Sequence, residues 1–384
     1  MRYVFWISLG AVAYSYLGYP LVLWVLSKLF PKPIAKAPLE PRISVVIAAH
    51  NEAETLPSKI KNLQHVDYPQ DKMEIVISSD GSTDGTNELL WQTPGIRVVV
   101  SELRQGKAAA INRAVEACSG EIVVFTDARQ QIEPSAFRKL LRNFSDPNVG
   151  CVSGELELPV STGESGVGLY WRFEKAIRKL ESSTGSVMGV TGAFYAARRQ
   201  LIPALPVGLI LDDVYGPLKV MEGGSRVVFE GDAIALDQPS FAHSIEFRRK
   251  VRTLMGNFEL LSYFPRYSLP FGAIGFRFFS HKLLRLAVPW LLIIAYISSA
   301  ALSAATFYLC LFVLQSFFYI AGIVAVRTQT NVKLLKVPGT FCLLNAAALV
   351  ALLTFLRHSN NVGEVWRTTS SVASAEPLPR EVRK

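Results

Sequence analysis

From Leu286 to Val326 the chain carries no charged residue. That is room for two passes through a bilayer, because each pass takes roughly 20 apolar residues rising about 1.5 Å apiece, and the small polar stretch Ser298 to Ser303 predicts the turn between them. Two more uncharged stretches, Val4 to Ser27 and Val337 to Leu356, have the length of one pass each. Four membrane segments are therefore expected. The first has Tyr3, Phe5, Trp6 and Trp24 near its ends, where aromatic rings favour the water–lipid boundary. It is too long for the apolar part of a cleaved leader, and no small-x-small site follows it.

Charge sets the expected sidedness. Lys28, Lys32 and Lys36 follow the first segment while Arg2 alone precedes it, so the positive-inside bias puts the following domain in the cytoplasm. Arg327, Lys333 and Lys336 fit the same side, but four passes from an outside amino end would leave Arg357, Arg367, Arg380, Arg383 and Lys384 outside. Either one segment is re-entrant or the count is off by one. The formal charge of +9 is accounted for largely by these flanks, and no nucleic-acid partner is expected. In "GFRFFSHKLLRL" the residues Arg277, His281 and Arg285 recur every four positions, which predicts an interfacial helix on anionic headgroups. Cys118, Cys151, Cys310 and Cys342 show no paired spacing, which argues against a disulfide framework or a zinc site.

The expected organisation is a membrane helix over 1–30, a linker over 31–41, a cytoplasmic domain over 42–263 and an interfacial segment over 264–285. Two membrane helices over 286–326, a basic loop over 327–337, a last helix over 338–356 and a polar tail over 357–384 follow.

Within 42–263, strands are expected at Ile43 to Ala49, "EIVISSDGS", Ile96 to Val100 and "EIVVFTDAR", and helices at Ala53 to Leu63, "TDGTNELLWQ" and "GKAAAINRAVEAC". Alternation of this kind predicts an α/β fold with a mostly parallel, Rossmann-like sheet, whose ligands bind beyond the carboxyl ends of the strands. The polar clusters His50 to Glu52, Asp80 to Asp84 and Asp127 to Arg129 all fall at such ends and are expected to share one crevice. The second half is less regular: a strand at "VGCVSGELEL", a helix of about four turns at "GLYWRFEKAIRKLESS", a strand in "SVMGVTGAFYAARR" and a helix opening on Asp212 and Asp213.

Taken in order, "AAHNE", "SSDGSTDGT", "RQGKAAAIN", "VFTDA", "VTGAFYAARR" and "LDD" resemble the membrane-integrated members of glycosyltransferase family 2. The resemblance implies a GT-A fold flanked by transmembrane helices, a UDP-sugar donor and inversion at the anomeric carbon. It places Asn51, Glu52, Asp80, Gly81, Lys107, Asp127 and Arg252 on the donor nucleotide. An ionised carboxylate such as Asp80 accepts base or ribose protons, while Gly81 and Gly85 let the backbone approach without a Cβ. Asp84 is read equally as a cap of the following helix. Lys107, at a helix amino end, suits phosphate oxygens. Asp127 matches the first aspartate of a DxD motif that holds Mg2+ or Mn2+, but Arg129 stands at the second position, and a guanidinium pairs with phosphate rather than metal.

The resemblance makes Asp213 the catalytic base and puts Asp212, Gly192 and Ala193 on the acceptor side. A QxxRW motif would fall on Arg249 to Thr253, where only the arginine, Arg252, is kept. Together these imply transfer of a hexosyl or N-acetylhexosaminyl group to a lipid-linked or growing saccharide acceptor at the membrane. A processive synthase that exports its polymer and a non-catalytic nucleotide-binding scaffold remain the alternatives.

Overall fold

Runs such as Ile43–Ala49 and Ile122–Thr126 are apolar on both faces, and a strand buries such a run only when helices cover the sheet on both sides. The computed structural model describes residues 1–157, 166–237, 243–328 and 332–357, and it shows that arrangement. Helices α1 (Arg2–Ala13) and α2 (Tyr19–Leu29) form one rod through the π-turn Tyr14–Gly18. There follow β1 (Ile43–Ala49), α3 (Leu56–Gln64), β2 (Met73–Asp80), α4 (Thr86–Gln92), β3 (Ile96–Ser101), α5 (Lys107–Glu116) and β4 (Ile122–Thr126). The less regular half comprises β5 (Gln131–Ile132), α6 (Ala136–Leu141), β6 (Val149–Glu157), α7 (Gly166–Thr184), β7 (Phe194–Arg198), α8 (Asp212–Glu222), β8 (Arg226–Leu236) and α9 (His243–Tyr263). The chain then runs through α10 (Gly272–Phe278), a second π-turn at Phe279–Leu283, α11 (Leu284–Ala301), α12 (Thr306–Thr328) and α13 (Lys333–Arg357).

The eight strands form one sheet in the order β3-β2-β1-β4-β7-β6-β8-β5. Its first four strands are parallel, β7 runs antiparallel to both β4 and β6, β6 and β8 are parallel, and β5 closes the edge antiparallel. Side chains alternate between two cores, as the pleat requires. Val46, Val76, Val123 and Phe125 pack on one face, and Val45, Ile47, Ile75, Ile77 and Val124 on the other. β8 and α9 are elements that the sequence reading did not separate.

Four helical stretches, Arg2–Leu29, Gly272–Ala301, Thr306–Thr328 and Leu335–Arg357, are long and apolar enough to cross a membrane, as many as expected. They do not pack alike. Phe5 of α1 is buried against Ala295 of α11 and Tyr308 of α12, with the Phe5 and Tyr308 rings edge to face at 5.4 Å. In α13, by contrast, Ala351 joins the core of the α/β domain and Phe355 stacks on Phe258 of α9 at 6.0 Å. The last turns of α13 thus lie against the domain.

One expectation is corrected. The stripe Arg277, His281 and Arg285 does not face headgroups; it faces α7. Arg277 is buried and donates to the carbonyls of Glu181 (2.9 Å), Ser186 (3.0 Å) and Thr184 (2.9 Å). His281 lies between Glu181 (2.8 Å) and Glu174 (3.1 Å), Arg285 pairs with Glu174, and Tyr19 donates to Glu181 at 2.6 Å. Residues four apart share a helix face, but periodicity cannot say whether lipid phosphates or protein carboxylates meet that face. Of the expected polar tail, 358–384 lies outside the described residues.

Candidate active site

β2, β1 and β4 are adjacent and parallel, and Ala49 stands level with Ser79, so the three polar clusters leave the sheet side by side. The first two are tied together. Asn51 takes a left-handed backbone turn (φ 56°), which aims its Oδ1 at the Thr83 amide (2.8 Å) and its own amide at Ser82 Oγ (3.2 Å). Asp84 accepts from the amides of Thr86 and Ala53, both at 3.1 Å. It therefore caps α4 and fastens the neighbouring loop, the second of its two readings. Glu52 is half-buried beside Thr55, and burial raises its carboxyl while the Thr55 hydroxyl and Arg129 pull it down.

Asp80 sits at the tip of β2, but its carboxylate is buried and taken up by its own chain. It accepts from the amides of Gln105 (3.1 Å) and Gly106 (2.6 Å) and from Arg113 (2.7 Å). A direct hold on a base or ribose would require this loop to give way. Gly81 has φ 65°, and a Cβ there would stand 2.6 Å from the Arg104 amide nitrogen. The glycine is demanded by the loop that folds onto Asp80.

α5 begins as that loop ends, and its first residue is the centre of the site. Lys107 Nζ is 3.1 Å from Asp127 Oδ1 and 3.8 Å from Asp212 Oδ2. Burial works against its ammonium, but Asp127, Asp212 and Asp213 together hold its pKa above the ordinary value. Arg129 turns away to Asp237 at the end of β8, 3.7 Å distant. Beneath Asp127 lies Lys59, fully buried, donating to Thr126 Oγ1 (2.8 Å) and the Gln130 carbonyl (2.6 Å). Burial brings its ammonium down to about 7.

Asp212 and Asp213 open α8. Oδ2 of Asp212 is buried and accepts no hydrogen bond. Burial, then the charge of Asp212, raises Asp213 to about 6, against the pull of Lys107, Lys282 and Arg178. The Asp213 carbonyl accepts the Val190 amide (2.8 Å), drawing the 185–193 loop across α8. Gly192 lies in that loop, where a Cβ would stand 3.0 Å from Asp213 Oδ2; Ala193 beside it is buried. Arg252 of α9 is partly buried, which lowers its pKa, and feels the charges of Asp212, Asp213 and Asp127. Lys107, Asp127, Asp212, Asp213, Gly192 and Arg252 therefore share one locality, while Asp80 and Gly81 belong to the loop that bounds it.

Among the described residues no three His, Cys, Asp or Glu side chains gather to form a cage for a metal ion. Asp127 is nevertheless 42% exposed, with one oxygen on Lys107. Magnesium is commonly held by one or two carboxylates plus substrate phosphates. A single exposed carboxylate is compatible with a metal that arrives with a diphosphate, for which Asp127 would be the protein ligand.

Arg178, Lys59 and Asp237 escaped the sequence reading. Arg178 donates to Thr191 Oγ1 at 2.6 Å and lowers Asp213 from a helix that shows no motif. A lysine at an apolar position of α3, in step with the buried Leu56, Ile60 and Leu63, was the one available signal for Lys59.

Comparison with known proteins agrees with this architecture. Residues 44–202 match the model for "Glycosyl transferase family 2". The poly-β-1,6-N-acetyl-D-glucosamine synthase of Staphylococcus aureus (strain COL) is 27% identical over 234 residues, covering 57% of this chain and 55% of that protein. The Staphylococcus epidermidis enzyme of the same name is 29% identical over 231 residues, with the same coverage. The chain thus spans about half the length of these curated relatives. The mannosyltransferase PcManGT from Pyrobaculum calidifontis, solved in complex with GDP-Man and Mn2+, superposes with a TM-score of 0.71 at 23% identity, over 92% of this chain and 99% of that one. This last likeness is one of fold, and the fold is GT-A-like.

Proposed function

Because residues 44–202 form a domain of glycosyl transferase family 2, we propose that the chain moves one sugar, with inversion, from a nucleotide-diphosphate sugar to a lipid-linked or saccharide acceptor at the cytoplasmic face of the cell membrane. The observation that carries this reading is the gathering of Lys107, Asp127, Asp212 and Asp213 around one ammonium at the strand tips.

In this reading Asp213 takes the proton of the acceptor hydroxyl as that oxygen attacks the anomeric carbon and the bond to the diphosphate breaks on the opposite face. A carboxylate raised to about 6 is ionised at neutral pH yet more basic than an ordinary aspartate, as such a step favours. Lys107 and Arg252 meet the diphosphate oxygens and neutralise the charge that grows on them. Gly192 leaves open the space beside Asp213 that the acceptor needs. A divalent ion on Asp127 would add Lewis-acid stabilisation of the departing diphosphate. Asn51, Glu52, Asp80 and Gly81 shape the nucleoside end, Asp80 through the 104–106 loop.

The packing of α13 on α9 supports the re-entrant alternative for the last segment, which keeps Arg357 on the same side as the domain and removes the charge conflict. The altered QxxRW region, with Thr253 after Arg252, favours single transfer over processive synthesis. Product length on one labelled acceptor separates those two.

The test is nucleotide release by purified full-length protein offered UDP-N-acetylglucosamine, UDP-glucose and GDP-mannose in turn, with Asp213→Asn and EDTA as controls. Release from one donor that disappears in the variant is expected. Release that persists in Asp213→Asn removes the base, and release indifferent to EDTA removes the metal.

A further inference from the structure

On α9, Arg252, Gly256 and Glu259 stand four and then three residues apart, a spacing that puts them on one face of the helix. Arg252 feels the charges of Asp212, Asp213 and Asp127. At Gly256 a Cβ would stand 2.6 Å from Leu211 Cγ and 2.9 Å from Ile210 Cγ2, so α9 lies flush on the two residues that lead into Asp212. Further along the same face, Glu259 accepts the Ile210 amide at 3.0 Å. The face that brings an arginine to the acids thus also grips the chain just before them.

The placement of Glu259 works against stability. The residue is 7% exposed; among the described residues the Ile210 amide is the sole donor to its carboxylate, and no cation pairs with it. Burial raises its carboxyl to about 6. A buried carboxylate without a counter-charge is destabilising, and folds break such local rules chiefly where function requires it. What the carboxylate holds has no support of the usual kind: Leu211, the cap of α8, makes no side-chain hydrogen bond to the helix, and Asp212 and Asp213 are the first two residues of that helix. Together the Glu259 bond and the Gly256 contact hold the entry to α8 from outside it.

We propose that Glu259 is a positioning residue for the acid pair: through the Ile210 amide it sets where the first turn of α8 presents Asp212 and Asp213, and it does so by the reach of its oxygen rather than by its charge. The proposal rests on the transferase reading above and adds to it a residue that acts through the backbone.

The experiment uses full-length protein in detergent and three replacements. Glu259→Gln keeps an acceptor oxygen at the same reach without the charge, Glu259→Asp keeps the charge but withdraws it by one methylene, and Glu259→Met removes the acceptor at similar size. On whichever donor supports nucleotide release, Glu259→Gln should hold kcat within about threefold, whereas Glu259→Asp and Glu259→Met should lower it at least about tenfold, the scale of a misplaced reacting group. The donor KM should not change, since the interaction lost is one made in the transition state. In an Asp213→Asn background Glu259→Met should cost no more than about twofold further, because it acts through the base. Independently of turnover, amide hydrogen exchange over 209–215 should quicken at least about tenfold in Glu259→Met and keep its unmodified rate in Glu259→Gln, with β1 unchanged in both. If Glu259→Met melts early, Glu259→Asp is read in its place. A Gln variant as slow as the Met variant, an Asp variant as fast as the unmodified protein, an undiminished loss in the Asp213→Asn background, or exchange over 209–215 that Glu259→Met leaves unchanged would overturn the proposal. Absence of nucleotide release from every donor in the unmodified protein overturns the transferase reading instead, and the exchange comparison then reads the hold on 209–215 by itself.

Discussion

Lys107 Nζ lies 3.1 Å from Asp127 Oδ1 and also reaches towards Asp212, so one ammonium bridges the carboxylate assigned to the donor and the pair assigned to the acceptor. Among the described residues it is the one ammonium on which the charges of Asp127, Asp212 and Asp213 all act. On the proposed reading, an arriving diphosphate would let the same ammonium exchange a carboxylate for a phosphate oxygen. Lys107→Met should lower kcat/KM for the donor by about 100-fold, the usual scale for one electrostatic stabiliser of a leaving group. It should also make the rate more steeply dependent on added Mn2+, because Asp127 loses its counter-charge. Steady-state rates across a Mn2+ series check both.

Asp213 gives a pH prediction of defined sign. The base must be ionised, so activity should fall on the acid side with a midpoint near 6, read as one macroscopic step of the Asp212–Asp213 pair. A carboxyl raised in the folded state binds its proton more tightly there than in the unfolded chain. Stability is therefore lost as pH rises from about 4 towards 6. Asp213→Asn should remove that loss, stabilising the protein at pH 7 by on the order of 1 kcal/mol while lowering kcat about 1,000-fold. Below about pH 4 the stability advantage should vanish. Thermal melts at pH 4 and pH 7 beside the rate profile test both.

Gly192→Ala would bring a methyl group to 3.0 Å from Asp213 Oδ2. The contact requires Asp213 to give by a few tenths of an ångström; since a full ångström costs roughly 100-fold in rate, a loss of up to about tenfold in kcat, with little change in melting temperature, is the expected outcome.

For Lys59 two effects oppose each other. Its replacement by Met leaves the Gln130 carbonyl without its donor, at a cost of about 1 to 3 kcal/mol, yet it also relieves the burial of an ammonium, a comparable gain. Stability should change by less than about 1 kcal/mol. The donor KM should rise all the same, because Thr126 and Gln130 bracket Asp127 and both lose their common anchor. A melt and a donor titration on the same preparation separate the two effects.

Glu181 joins three elements: it accepts from Tyr19 of α2, pairs with His281 of the π-turn, and receives the Met188 amide at 3.2 Å. Burial alone would raise its carboxyl, but His281 and Tyr19 hold it below the ordinary range. Glu181→Ala strands these partners in a buried place, and a loss of about 3 kcal/mol is expected, the scale for breaking a buried pair on one side. Denaturation of the detergent-solubilised protein reports it.

The sequence by itself determined most of the strands, though not β5 or β8, together with the four long apolar helices and the order of the polar clusters. Each is written locally, in a run of apolar residues or in a turn with too little bulk to be anything else. Thus β1 spans Ile43–Ala49 as expected, and the parallel run β3-β2-β1-β4 necessarily sets Asp80 and Asp127 near one edge. Tertiary structure decided what those residues meet. Asp80 is engaged by the 104–106 loop, Arg129 by Asp237, and the basic stripe of α10 and α11 by the acids of α7. α13 rests its last turns on α9, although its composition equally suits lipid. The reason is one of range: periodicity and turn chemistry act over a few residues, whereas the partner of a charge is chosen by packing between segments a hundred or more residues apart.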